Sequence, residues 1–105
     1  MNKNQAQLVV IICNHDYADE VMEVAKKAGA KGGTIIHGRG TLNKETKKFF
    51  GITIQPEKAL ILILSDLAIQ ENIMKNVNEE ASINTDAHAV SFSLPVSDFV
   101  GLNIK

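Results

Sequence analysis

The stretch that decides the fold runs from Gly32 to Leu64 and reads GGTIIHGRGTLNKETKKFFGITIQPEKALILIL. It contains two segments of β type, Thr34 to His37 and Ala59 to Leu64, because both are rich in β-branched and aliphatic residues. A polar loop from Gly40 to about Phe50 follows the first of them and is expected to be exposed and mobile. Gly51 to Ile54 is predicted to resume as a strand before Pro56, which permits only an edge or bulged position. The rest of the chain is predicted to be the scaffold that holds this loop.

The flanking sequence supplies the other elements. Residues Gln7 to Asn14 contain the apolar run LVVIIC without alternation, which is typical of a strand buried on both faces. Asp16 and Asp66 are the predicted N-caps of two amphipathic helices. A last strand, in which apolar and small residues alternate, ends at Pro95. The two glycines of Gly38-Arg39-Gly40 tolerate unusual backbone dihedrals and are expected to end the second strand.

The resulting order, βαββαβ, predicts an α+β ferredoxin-like fold, a four-stranded antiparallel sheet with both helices on one face. Residues 1–105 are expected to form a single domain. The runs LVVII and LILIL are apolar on both sides, so the face without helices must also be covered. Self-association covers it most simply, and the sequence therefore predicts a closed homo-oligomer.

Composition excludes several classes of function. The chain has 11 basic and 12 acidic residues, and this balance argues against a nucleic-acid-binding surface. The longest apolar runs, Leu8 to Cys13 and Ala59 to Leu64, are far shorter than the ~20 residues of a membrane span. We therefore expect a cytoplasmic protein that is not embedded in a membrane. The single cysteine, Cys13, is predicted to be a small buried hydrophobe.

Four features occur here in a particular order: a GxGT segment, a long polar loop, Pro-Glu-Lys before an aliphatic strand, and a closing SFSLPV. In this order and spacing they resemble the PII family of nitrogen-regulatory signalling proteins over nearly the whole chain. The resemblance implies a homotrimer that regulates a membrane transporter or a metabolic enzyme in nitrogen or related metabolism. It implies an adenine nucleotide (ATP, ADP or AMP) as effector, no fixed cofactor, and no enzyme activity.

The resemblance also implies where a ligand would bind. In PII proteins the nucleotide lies between subunits, where the GxG segment at the root of the loop meets the segment before the last strand. Glycine lets backbone amides approach a phosphate, and arginine adds donors. Alternative interpretations are a simple tight turn for the GxG segment and a solvated strand-end charge for the lysine. The candidate ligand-binding residues are Gly38, Arg39, Gly40, Thr41, Lys58, Ala87, His88 and Ala89.

The chain also departs from the family pattern. Ala87-His88-Ala89-Val90 stands where the family has Gly-Asp-Gly-Lys, and no arginine pair follows the last strand. Each missing charge-assisted phosphate contact would cost about 1.5–3 kcal/mol, so weak ATP binding, binding of ADP or AMP, and an unrelated small ligand all remain open. Leu42 occupies the position of the family's glutamine and the loop has no tyrosine. We therefore expect neither 2-oxoglutarate sensing nor uridylylation.

The loop carries candidates for docking a partner protein, with aromatic anchors and a basic rim. Alternatively, the two phenylalanines begin the next strand and pack inward. The candidate partner-binding residues are Lys44, Lys47, Lys48, Phe49 and Phe50.

Histidine and cysteine suggest a second function, a metal-binding trimer similar to the CutA proteins. Its only support is Cys13, His15, His37 and His88, and no pair of them has the spacing of a zinc motif, so the sequence assigns no metal ligand. His88 is alternatively a pH-sensitive or ligand-contacting group, or a structural hydrogen-bonding residue. No catalytic constellation stands out.

Overall fold

The computed structural model describes residues 6–41, 47–49, 52–54 and 57–101. Four long strands form one antiparallel sheet in the order β2-β5-β1-β6, and two short strands form a separate ribbon. The ferredoxin-like prediction is confirmed. The elements are β1 (Ala6–Asn14), a 3₁₀ turn (His15–Tyr17), α1 (Ala18–Lys27), β2 (Thr34–Arg39), β3 (Lys47–Phe49), β4 (Ile52–Ile54), β5 (Glu57–Asp66), α2 (Leu67–Glu80) and β6 (Val90–Pro95).

The hydrophobic core lies between the sheet and the two helices. Alternate residues of the two central strands, such as Ile11 and Ile61, are fully buried there. Val21 of α1 and Ile73 of α2 belong to the same cluster. Cys13 is also part of this core, with no exposed surface, as the sequence predicted.

The opposite face of the sheet is apolar as well, and neither α1 nor α2, the two helices of the described residues, covers it. Opposite residues of antiparallel strands share a face, so the register defines two rows that cross the whole sheet. One row is Ile36, Leu60, Ile12 and Val90, and the next is Thr34, Leu62, Val10 and Phe92. The outer members Ile36, Val90 and Phe92 remain 42–49% exposed. The prediction that both faces of the sheet are apolar is thus confirmed.

Of the two predicted helix N-caps, one is confirmed and one is wrong. Asp66 caps α2, because its Oδ1 accepts a hydrogen bond from the Ile69 amide at 2.9 Å. The prediction for Asp16 was wrong: this residue lies inside the 3₁₀ turn, and α1 begins after Tyr17 with no side-chain cap. No described helix combines the length and the hydropathy that a membrane crossing requires.

The connection after β2 differs from the predicted loop of residues 40–50. Lys47–Phe49 is a strand that pairs antiparallel with Ile52–Ile54, so the loop prediction extended too far. Phenylalanine, isoleucine and threonine favour extended backbone, and this preference outweighed the basic character of the segment. Of the candidate docking residues, Lys47, Lys48 and Phe49 therefore lie on a strand, whereas Lys44 and Phe50 lie outside the described residues.

Candidate functional site

Two of the predicted ligand segments meet at one end of the main sheet. Gly38 of β2 lies directly opposite Lys58 of β5, which in turn lies opposite Asn14 of β1. Lys58 is only 9% exposed, and its Nζ donates a hydrogen bond to Asn14 Oδ1 at 2.8 Å. Lys58 is therefore a buried cation held at a fixed position. The alternative interpretation, a solvated strand-end charge, is wrong.

Asn14 also joins the third predicted segment to this row. Its backbone amide donates to the Ala87 carbonyl at 2.8 Å, and its side-chain Nδ2 donates to the Asp86 carbonyl at 2.7 Å. Asn14 thus bonds to Lys58 and to the segment before β6, and Gly38 lies one strand further along the same row of the sheet. Asn14 was not among the predicted site residues, although it carries both a donor and an acceptor directly after an apolar run, which is a signal visible in the sequence.

The backbone of Gly38 has the extended conformation of a strand and not a conformation that only glycine adopts. Positive φ values occur at Gly29 and Gly101, and Gly38 is not among the described glycines that have one. β2 continues through Gly38 to Arg39, so the prediction that these residues end the strand was wrong. A Cβ at Gly38 would meet only Leu60 Cδ1, at 3.9 Å. The described chain therefore imposes no steric requirement for glycine at this position.

The other residues of the GxGT segment are placed differently. Arg39 is exposed and lies opposite Glu57 at the end of the β2–β5 pair. Successive side chains of a strand leave on opposite faces, so Arg39 leaves β2 on the face opposite to the Gly38 row. Gly40 and Thr41 follow the strand, and Thr41 is exposed. The segment thus does not present Arg39 and Lys58 on one face of the sheet.

The segment before β6 uses its polar backbone groups internally. The His88 amide donates to the Thr85 carbonyl at 3.1 Å, and the Ala89 amide donates to the Ala81 carbonyl at 2.8 Å. Ala87 and Ala89 are each 7% exposed and belong to the core. Within this chain, the amides of residues 88 and 89 are therefore already occupied and are poor candidates for holding phosphate.

His88 is the exception in this segment, because its ring can still meet a ligand. It adopts a left-handed backbone with φ of 53°, which is uncommon for a non-glycine residue. Its Nδ1 donates to the Thr85 carbonyl at 3.0 Å, since a carbonyl oxygen can only accept. This is the structural hydrogen bond that the sequence analysis considered. The bond fixes the ring and leaves Nε2 as the nitrogen that can face a ligand.

Two acidic groups near the site have raised pKa values. Burial raises the pKa of the Cys13 thiol, and the positive charge of Lys58 opposes this effect in part. The negative charge of Asp86 raises the pKa of the Tyr17 phenol, with smaller contributions from desolvation, from Glu20, from a hydrogen bond to Asp86 and from Asp16. Both groups therefore remain protonated at neutral pH.

The structure brings two of the four candidate metal-binding residues into contact. His15 and His37 are in contact, with His15 Nε2 and His37 Nδ1 separated by 3.3 Å and the ring centroids by 4.2 Å. Cys13 is buried, and His88 is bonded to the turn before β6. In the described ranges, no group of three or more histidine, cysteine, aspartate or glutamate side chains is arranged to hold a metal ion.

Comparison with known proteins places this geometry in a known fold. No protein-family model matches the sequence, and no curated protein sequence matches it either. Among solved structures, the chain is similar to a protein designated PII-like signalling protein from Thermus thermophilus, with a TM-score of 0.65 and 18% identity over 85% of this chain and 83% of that chain. It is also similar to the GlnK–ATP complex of B. subtilis, with a TM-score of 0.63 and 16% identity over 92% of this chain and 85% of that chain.

Proposed function

We propose that this chain, which has the fold of PII-like signalling proteins, is a regulatory protein rather than an enzyme. It forms a homotrimer, binds an adenine nucleotide in the clefts between subunits, and transmits the occupancy of those clefts through the segment of residues 40–50 to a transporter or metabolic enzyme. The similarity to solved structures supports the fold, at 16–18% identity. The trimer and the target are our inferences from the resemblance to the PII family, and the ligand is our inference from that resemblance and from the site described above.

The arrangement of the three segments around Asn14 and Lys58 carries the proposal. The Asn14 side chain bonds to Lys58 and to the Asp86 carbonyl, its backbone amide bonds to the Ala87 carbonyl, and Gly38 lies opposite Lys58 in the β ladder. Lys58 supplies a buried positive charge that would attract an anionic ligand. Gly38 leaves room for a ligand or a second subunit to approach the strand closely.

The composition of the site indicates that it distinguishes little between nucleotides with different numbers of phosphates. Val90 occupies the position of the family's lysine, and the amides of residues 88 and 89 already have acceptors. A γ-phosphate would therefore gain few charge-assisted hydrogen bonds, each of which contributes about 1.5–3 kcal/mol. We infer that ATP, ADP and AMP bind with affinities within about tenfold of one another, a difference of ~1.4 kcal/mol.

The apolar face without helices supports the oligomer. Its rows of aliphatic and aromatic residues remain partly exposed, including Ile36 at 45% and Leu94 at 48%. Contiguous exposed apolar surface of this kind marks an interaction site. Packing of this face against other copies would bury it and would form the clefts beside β2.

Isothermal titration calorimetry against ATP, ADP and AMP tests the proposal. We expect about one site per chain, with affinity reduced by Lys58→Met and by Gly38→Val, which fills the approach to β2. Lys75→Met, which removes an exposed lysine from α2, is the matched control and should leave binding unchanged. Absence of saturable binding to all three nucleotides, with the oligomer intact, would refute the nucleotide-sensing function.

A further inference from the structure

We propose that His15 and His37 form a chelating site for a divalent transition-metal ion, with two imidazole ligands from the chain and water in the remaining positions. The inference is independent of the proposed nucleotide site. The two histidines are 22 residues apart in sequence. They come together because His15 follows β1 in the 3₁₀ turn and His37 lies on β2, opposite Ala59.

The distance between the ring nitrogens supports metal chelation. His15 Nε2 and His37 Nδ1 are 3.3 Å apart, a separation that fits a hydrogen bond between the two rings and also fits two ligands of one metal ion. Two nitrogens bound to zinc at about 2.0–2.1 Å with a tetrahedral angle are separated by roughly 3.3–3.4 Å. The ring centroids are 4.2 Å apart at an interplanar angle of 77°, an edge-to-face contact, so chelation requires a rotation of the rings that directs both nitrogens at a shared ion.

Two carboxylates lie at the other nitrogen of His15. Asp16 Oδ1 is 3.4 Å and Glu57 Oε2 is 3.9 Å from His15 Nδ1. Metal-binding histidines commonly donate their second ring N–H to a carboxylate, which fixes the tautomer and strengthens the ligand. Here that arrangement would place the proton on Nδ1 and leave the lone pair of Nε2 directed towards His37.

The location of the pair allows a metal ion to enter. The His15 side chain is 32% exposed, and His37 is also exposed, at the end of the sheet where β2 leads into residues 40 and 41. Imidazole ligands suit Cu²⁺, Ni²⁺ and Zn²⁺, whereas Mg²⁺ prefers oxygen ligands. We therefore expect the order Cu²⁺ above Ni²⁺ and Zn²⁺, with no competition from Mg²⁺.

Calorimetric titration of the untagged protein with ZnCl₂ and NiCl₂ tests the site. We expect one ion per chain, and a loss of affinity of at least about tenfold in His15→Ala, in His37→Ala and in the double variant alike, because a chelate needs both ligands. His88→Ala removes the third histidine of the chain and is the matched control. Asp16→Asn should weaken binding by about tenfold, whereas Asp19→Asn on the exposed face of α1 should not.

A second measurement does not depend on the folding of any variant. In ¹⁵N NMR spectra of the wild-type protein, Zn²⁺ should shift the His15 Nε2 and His37 Nδ1 resonances and leave those of His88 unchanged. Absence of binding at millimolar Zn²⁺ and Ni²⁺ would overturn the proposal and leave a direct hydrogen bond between the rings. Binding that survives replacement of either His15 or His37, or that shifts His88 equally, would overturn it as well.

Discussion

Lys58 Nζ donates a 2.8 Å hydrogen bond to Asn14 Oδ1, although 44 residues separate the two in sequence. The bond joins the two central strands at the end of the sheet where the segment before β6 also attaches. Because Lys58 is nearly buried, this bond also fixes where a positive charge lies. The position of the Lys58 charge in the candidate site therefore depends on Asn14, which is itself uncharged.

Asn14→Ala is expected to destabilise the protein by about 1–3 kcal/mol. The substitution removes an acceptor from the buried Lys58 ammonium, and a buried polar group that loses a partner costs about this much, whereas the exposed bond to the Asp86 carbonyl contributes less. Urea unfolding at fixed protein concentration measures the change. Asn78→Ala, at an exposed position of α2, is the control and should not reduce stability. Equal stability of Asn14→Ala and the wild type would contradict the role assigned to Asn14.

Gly33→Ala and Gly32→Ala form a matched pair of neighbouring substitutions. A Cβ at Gly33 would lie 2.7 Å from the Leu62 carbonyl oxygen and 2.9 Å from Ile63 Cγ1, whereas a Cβ at Gly32 would meet nothing within 4 Å. We expect Gly33→Ala to cost about 1–3 kcal/mol through overpacking and Gly32→Ala to be nearly neutral. Thermal and urea unfolding of both variants measure the difference. Similar free energies of unfolding for the two variants would show that Gly33, which directly precedes β2, does not lie as close to Leu62 and Ile63 of β5 as described.

Phe92→Lys is expected to dissociate the oligomer. Phe92 is 42% exposed on the apolar face, and a charge buried in an interface without a partner is strongly unfavourable. Light scattering coupled to size-exclusion chromatography should give a trimer for the wild type and a monomer for the variant. Leu67→Lys replaces an equally exposed apolar residue, at 45%, on α2 and should remain trimeric. A trimer that persists in Phe92→Lys would locate the interface elsewhere.

We expect the protein to lose stability at alkaline pH because the Cys13 thiol is buried. Burial raises the pKa of this thiol above the ordinary 9.0, so the native state retains a proton that the unfolded state releases. The resulting stabilisation is fully present below the pKa of the unfolded state and is lost as the pH rises through the raised pKa of the native state. The free energy of unfolding should therefore fall more steeply with rising pH above pH 9.0 in the wild type than in Cys13→Ala. Parallel curves for the two proteins would contradict this role of the thiol.

Much of the fold could be predicted because its signals are local. The alternation around Phe92 indicated a strand, which β6 confirms with its apolar residues on the open face of the sheet, and the capping aspartate Asp66 marked the start of α2, as the structure confirms. Asp16 gave the same local signal as Asp66, but a 3₁₀ turn lies between β1 and α1 and moves the helix start beyond it. An aspartate caps a helix only when the helix begins at the next residue, as it does after Asp66 and does not after Asp16.

The candidate site was predicted less completely because its contacts are long-range. The GxGT segment and Lys58 were chosen from their resemblance to a family, and only the strand register places Gly38 opposite Lys58. Asn14 had no visible partner, since its contacts lie 44 and 72 residues away. The contact of His15 with His37 likewise follows from the sheet order, which brings β2 next to β5 and β5 next to β1.

Hydrogen exchange measured by mass spectrometry, with and without saturating AMP or ATP, tests the central claim most directly. The account predicts slower exchange on nucleotide binding in two separate segments at once, residues 37–41 and residues 85–90. Exchange in the middle of α2, on the far side of the core from the open face, should stay the same. Unchanged exchange in both segments, or protection confined to other parts of the chain, would contradict a nucleotide site built from the segments that meet at Asn14.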